Sequence, residues 1–150
     1  MGEIRAKMRL ESEADRVLFK AGHIAKKDIR VQEVEAVTDT GAVMTLLSQD
    51  LVEALGLEMI ERVIVTLAND QKIELDRAGA IFLTVAGRTM KTDCLVGPPG
   101  CTPLIGAIVM EELDLICDST KRTITPRPES PFLPTLNLKT YGSLARPTAP

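Results

Sequence analysis

Asp39-Thr40-Gly41-Ala42-Val43-Met44-Thr45-Leu46 is the stretch on which the fold turns. It follows Val34-Glu35-Ala36-Val37, whose β-branched and small residues read as the end of a strand. An acid, a small hydroxyl and a glycine at a strand end permit a tight turn. Backbone N–H groups can then approach the carboxylate without meeting a Cβ. Taken alone, the tripeptide also fits a plain strand-to-strand turn capped by Asp and Gly, so its surroundings must decide.

Working outward, residues 3–10 alternate, with Ile4, Ala6, Met8 and Leu10 on one face and Glu3, Arg5, Lys7 and Arg9 on the other, which predicts a strand. The period then changes. Ala14, Val17, Leu18 and Ala21 recur at helical spacing, Ser12 with Asp15 reads as a capping box, and Gly22 is a stop, so a helical insertion is expected over about 12–22. Residues 31–38 return to strand. Ser48 caps a short helix, Asp50 to Leu55, that ends at Gly56. Four β-like runs follow: Val63–Leu67, Lys72–Leu75, Ala80–Val85 and Met90–Val96. Turn chemistry separates them at Asn69-Asp70, Ala78-Gly79 and Gly87-Arg88. Short strands joined by tight turns predict a meander or barrel, not a parallel α/β sheet. Leu104-Ile105-Gly106 opens a second short helix, Val109 to Leu113, and a strand near Arg122–Thr125 closes the domain.

The 150 residues, 45% hydrophobic and 26% charged, suffice for one folded domain. A net charge of −3 with no basic stripe, and only three Phe and one Tyr, argue against nucleic acid as partner. No apolar run is long enough for a membrane span, and the alternating N-terminus does not read as a signal peptide. Cys94, Cys101 and Cys117 have neither disulfide-framework nor zinc spacing, so free thiols in a cytoplasmic protein are expected. Six of the nine prolines fall in the last 25 residues. The domain is therefore drawn as 1–126 and residues 127–150 as a proline-rich extended tail, with Phe132-Leu133 its most accessible apolar pair.

Most catalytic constellations are absent. His23 is the single histidine and follows Gly22 at a helix end, which suits a surface position. Gly97-Pro98-Pro99-Gly100-Cys101 lacks the Lys-Ser/Thr ending and the N–H donors of a phosphate loop. No histidine pair or carboxylate cluster has metal-ligand spacing, so no metal and no cofactor is expected.

Against that background, Asp39 to Leu46 resembles the active-site segment of the retropepsin-like (retroviral-type) aspartic proteases. Cys94-Leu95-Val96-Gly97-Pro98-Pro99 leading to Leu104-Ile105-Gly106 and Leu113-Asp114-Leu115 resembles the family's second signature. Two motifs in this order, with hairpins between them, cover residues 1–126. With the helix near 12–21, the pattern is similar to the prokaryotic single-domain members.

The resemblance implies a mainly β fold, a small closed β-barrel of the retropepsin type with one or two short helices, working as a homodimer. It implies an aspartic endopeptidase acting on a peptide or protein substrate, with one catalytic Asp39 from each subunit. Thr40 donates across the dyad, and Gly41 completes the motif. Ala42, the flap tip at Ala68, Asn69 and Asp70, and Leu104-Ile105-Gly106 are assigned to the substrate cleft, the last three packing beneath its floor. The only other candidate acid, in Asp118-Ser119-Thr120, is followed by Lys121 where the motif needs glycine. Departures are a flap tip without glycine, Thr38 where the family has an apolar residue, and Ala107 where retroviral enzymes carry an arginine. The other reading is a catalytically weak dimer of the same fold that binds peptides or partners through that cleft.

Overall fold

The computed structural model describes residues 3–138, and the end of the expected tail, 139–150, lies outside the described residues. The chain is mainly β. Strand β1 (Arg5–Ser12) buries Met8 and Leu10, as its alternation predicts. It pairs antiparallel with β2 (Val31–Thr38) along one edge, from Arg5 opposite Val37 to Glu11 opposite Val31. A short strand β3 (Leu46–Ser48) leads into the short helix Gln49–Ala54, whose cap is Ser48, as expected: its Oγ accepts the Leu51 N–H at 3.4 Å.

Strand β4 (Glu58–Thr66) turns at Leu67–Gln71 into β5 (Lys72–Val85), which turns at Ala86-Gly87 into β6 (Arg88–Gly97). The expected break at Ala78-Gly79 is not a turn. Strand β5 runs through it because both of its edges stay paired, with β4 up to Gly79 and with β6 beyond; the glycine marks a register slip between Ala78 and Ile81. Past that slip, β5 exchanges β4 for β1, with Ile81 opposite Ser12 and Thr84 opposite Arg9. Strand β7 (Leu104–Ile105) lies between β2 and β3, parallel to the first and antiparallel to the second. Pairings therefore run β1-β2-β7-β3-β6-β5 and return to β1. Leu47, Ile81, Leu83, Ile105, Met8 and Leu10 are fully buried among these strands. A final hairpin joins β8 (Leu115–Asp118), not anticipated as a separate strand, to β9 (Thr123–Pro126).

The helix between β1 and β2, α1 (Glu13–Lys20), forms where expected, with its apolar stripe turned outward. Ala14, Val17, Leu18 and Ala21, which recur at helical spacing, are all exposed, while Asp15 is buried. The capping box is half made. Ser12 Oγ accepts the Asp15 N–H at 3.2 Å, but the Asp15 carboxylate turns to Arg30, accepting its backbone N–H at 2.9 Å and its guanidinium at 2.8 and 2.9 Å. Three donors converging on one carboxylate outweigh burial of a few small apolar groups and set the roll of the helix.

The stretch after Pro126, expected to be extended, instead turns at Pro128-Glu129 and bends over 130–133, with the Ser130 N–H donating to the Arg127 carbonyl at 2.9 Å, and its first part is held to the body. Asp114 accepts from Arg127 Nε at 2.9 Å, from the Ser130 hydroxyl and from the Thr135 N–H at 3.0 Å. Arg88, expected only as a turn residue, is buried and donates to the carbonyls of Leu113, Asp114 and Ser130. Between the anchors at Ser130 and Thr135, Phe132 and Leu133 stand exposed. The Ser130 hydroxyl first, then Arg127 and the Thr135 N–H, push the Asp114 carboxyl down to about 2. A value below the ordinary carboxylate range means that this latch contributes fully above about pH 4 and weakens as pH falls toward 2. Limited proteolysis should therefore leave residues 127–135 protected from about pH 7 down to about pH 4. Asp114→Asn should lose that protection across the same range; equal cutting of wild type and variant would show that the latch does not hold the segment.

Candidate active site

The Asp39 loop leaves the sheet at the end of β2, where Thr38 sits opposite Ile105. The Asp39 N–H donates to the Ile105 carbonyl at 3.0 Å, so the backbone of the acid is still tied to β7. The loop then closes on itself. Gly41 N–H donates to Asp39 Oδ1 at 2.9 Å, and Ala42 N–H donates to the Asp39 carbonyl at 3.1 Å. A Cβ on Gly41 would lie 3.2 Å from Asp39 Oδ1, tighter than ordinary contact, so glycine is what lets its N–H reach the carboxylate.

The second motif supports this loop from behind. Helix α2 (Ala107–Glu112) begins directly after Gly106, and its first two amides have no partner within the helix. Ala107 N–H donates to the Ala42 carbonyl at 2.7 Å and Ile108 N–H to the Val43 carbonyl at 3.1 Å. A Cβ on Gly106 would lie 2.6 Å from the Met44 carbonyl and from the Val43 oxygen, so only glycine admits this approach. Leu95 N–H donates to the Thr45 carbonyl at 2.9 Å, and β3 runs parallel to β6 from Leu46 opposite Leu95 to Ser48 opposite Gly97. The turn at Pro98–Gly100 is pinned in its own way: Gly100 N–H donates to Asp50 Oδ1 at 2.8 Å, and that bond is the first cause holding the Asp50 carboxyl below its usual range.

Of the residues assigned from sequence, Asp39, Thr40, Gly41 and Ala42 are thus joined to Leu104, Ile105 and Gly106 in one bonded unit. Asp39, Thr40 and Gly41 are exposed on the single chain. Ile105 is fully buried and Gly106 buried, so these two back the loop and do not line a cleft. The tip at Ala68, Asn69 and Asp70 is exposed at the end of the β4–β5 hairpin, and its hydrogen bonds stay within the hairpin: Leu67 N–H to the Gln71 carbonyl, Asp70 N–H to the Leu67 carbonyl, and Gln71 N–H to Asn69 Oδ1. A cleft of about 800 Å³ lies elsewhere, between α2 and the segment after Arg127, and none of Asp39, Thr40 or Gly41 lines it. Asp118 Oδ1 accepts the Thr120 and Lys121 N–H groups, which makes Asp118-Ser119-Thr120 a hairpin turn. Burial pushes the Cys94 thiol up to about 12, which leaves it inert as a nucleophile.

Sequence reasoning missed Asp114 and Arg88. Both were visible only as charged residues beside apolar runs, Asp114 between Leu113 and Leu115, and that signal does not name a partner.

Comparison with known proteins follows the same division of the chain. A family model described as aspartyl protease matches residues 25–109, which includes the Asp39 loop and Gly106. No curated protein matches. Among solved structures, the chain is similar to the retroviral protease-like domain of Ddi1 from Leishmania major, with a TM-score of 0.54 and 13% sequence identity over 85% of this chain and 90% of that one. The fold is retropepsin-like.

Gly106→Ala tests the support behind the loop. The added methyl must displace backbone, so a loss of roughly 1–3 kcal/mol is expected, read as a lower urea midpoint at unchanged slope. A midpoint equal to wild type would mean that α2 does not press on the Asp39 loop as closely as the geometry requires.

Proposed function

Because the chain belongs to the aspartyl protease family, we propose that it is an aspartic endopeptidase whose active site is completed by a second copy of the same chain. The observation that carries this reading is the Asp39-Thr40-Gly41 loop, intact in sequence and held at its backbone by Ile105, Ala107 and Ile108. One such loop is half of the chemistry. Water-mediated cleavage of a peptide bond by carboxylates needs two of them, one ionised and one protonated. The described chain supplies one, exposed at the end of β2, and Asp118 is occupied as a turn acceptor. A two-fold axis beside Asp39 supplies the other. The ring of strand pairings from β1 round to β5 supports the reading of each subunit as a small closed barrel.

In this mechanism the paired Asp39 carboxylates hold one water. The ionised member takes a proton from it as the oxygen attacks the scissile carbonyl carbon, while the protonated member donates to the carbonyl oxygen. Collapse of the tetrahedral intermediate breaks the C–N bond and delivers a proton to the leaving amine. Thr40, exposed next to the acid, donates its hydroxyl across the two-fold axis in this reading. The β4–β5 hairpin is the lid, and its tip at Ala68, Asn69 and Asp70 covers the peptide and excludes water. Its exposed Ile60 and Ile64 give that lid an apolar surface. A protein in the cytoplasm would meet peptide or protein substrates there.

Asp39→Asn keeps the shape of the side chain and removes the base, so cleavage of a mixed peptide library should fall by at least about a thousandfold while the fold persists. Mixing wild-type and variant subunits tests the shared site directly. With random pairing, an equal mixture keeps about a quarter of the wild-type rate if each site needs Asp39 from both chains, and about half if each chain carries its own site. Peptide binding that survives Asp39→Asn, with no cleavage by the wild type, would establish the alternative of a peptide-binding module.

A further inference from the structure

Helix α1 sits on the body by its polar side. Asp15 is buried against Arg30, and Glu11, 3% exposed at the end of β1, accepts Arg16 Nε at 2.9 Å and Nη2 at 2.6 Å. The Arg16 guanidinium also lies 5.7 Å from the centre of the Phe19 ring. These contacts hold the helix from the side of Asp15, Arg16 and Phe19. At about 100° per residue, Ala14, Val17, Leu18 and Ala21 share one arc on the opposite side. Val17 is 52% exposed and Leu18 42% exposed. Rolling the stripe inward would break two ion pairs with buried carboxylates, so the outward face is built in and is not a loose end.

The charges beside the stripe identify what covers it. Glu13 and Lys20 stand at the two ends of α1, seven residues apart and therefore on the same flank of the stripe. A parallel two-fold copy would carry its Glu13 and Lys20 to the far side of the contact. An antiparallel copy sets Glu13 against Lys20 twice and opposes the two helix dipoles. Glu13, half-buried, lies 3.6 Å from the exposed Lys91 of its own chain, a long pairing that a second cation can share.

We propose that α1 is a self-association surface, pairing antiparallel with α1 of a second copy through Ala14, Val17, Leu18 and Ala21. This contact is separate from the proposed active-site two-fold and does not rest on catalysis. A helix of eight residues is about 12 Å long and covers only part of the roughly 800 Å² per partner that a stable interface buries. The pairing is therefore weak, concentration-dependent and suited to joining subunits that are already assembled. Its rim charges make it weaker at high salt.

Sedimentation equilibrium of the full chain, over about a hundredfold concentration range, reads the association as a rise in mean mass. Val17→Glu and, separately, Leu18→Glu should remove the part of the rise that α1 supplies, leaving at most the active-site dimer, while peptide cleavage stays at the wild-type level. Glu13→Lys should weaken the association about tenfold by placing like charges opposite each other, and adding Lys20→Glu should restore it. Mass curves for Val17→Glu and wild type that superimpose would overturn the proposal, as would a double charge reversal that fails to rescue the single one. Wild-type binding to vesicles of anionic lipid, lost in Val17→Glu with the self-association curve unchanged, would assign the stripe to a membrane surface and equally overturn it. Because Asp39→Asn leaves α1 intact, its mass curve should follow wild type, which keeps failure of this contact distinct from failure of the protease reading.

Discussion

Two amides at the start of α2 carry the site. A helix that begins abruptly leaves its first N–H groups without partners, and a loop that leaves a sheet strands its carbonyls in the same way. Here each deficit answers the other: Ala107 and Ile108 donate to Ala42 and Val43. Each such bond contributes on the order of 1 kcal/mol net, but leaving either group buried and unpaired costs about 1–3 kcal/mol. The loop therefore has one arrangement that satisfies all four groups, and Asp39 inherits its position from it. Ala107 stands where the retroviral enzymes carry arginine, yet this bond uses the main chain and survives the change of side chain.

The rest of the sheet serves that contact by bringing distant segments of chain into line. Strand β7 is only two residues long, Leu104 and Ile105, and reaches the Asp39 loop because it fits between β2 and β3. Strand β3 is held in turn by β6, and β6 by the long β5, which changes partners from β4 to β1 at Gly79. Half of β5 thus belongs to the body and half to the projecting hairpin. The hairpin's outer strand β4 is largely exposed and stabilised by ion pairs such as Arg77–Glu61 at 2.8 Å and Arg62–Glu74 at 3.2 Å. Exposed pairs of this kind contribute little, so the projecting hairpin rests mainly on its own β4–β5 ladder.

Local chemistry was legible in the sequence wherever the deciding contacts are close along the chain. The alternation in β1, the Ser48 cap, the turn at Asn69-Asp70 and the Asp39-Thr40-Gly41 loop all depend on neighbours within a few residues. Where a distant charge decides, the pattern misled. The stripe on α1 has helical spacing, but Arg30 claims Asp15 and turns the helix over. Gly79 has turn chemistry, but its strand remains paired on both sides. The proline-rich composition after Pro126 reads as free tail, but Asp114 and Arg88 hold its first residues. In each case a tertiary partner, invisible to periodicity, overrides a correct local preference.

The same long-range bonds bear on the chemistry required of Asp39. Two carboxylates brought together across a two-fold axis repel unless they share a proton, and a flexible loop would relieve that repulsion by letting them move apart. Separation would abolish the shared water on which hydrolysis depends. Every backbone bond around Asp39 opposes such movement: to Ile105 behind it, to Ala42 across the turn, and through Ala42 and Val43 to the head of α2. Gly41 fixes the carboxylate as well, through its N–H on Oδ1, and in the proposed dimer the second oxygen would take the water and the partner acid. In the proposed dimer, a firmly bonded Asp39 loop and a hairpin tip bonded only within itself would divide the labour between chemistry and closure, and both features follow from where this sheet places its bonds.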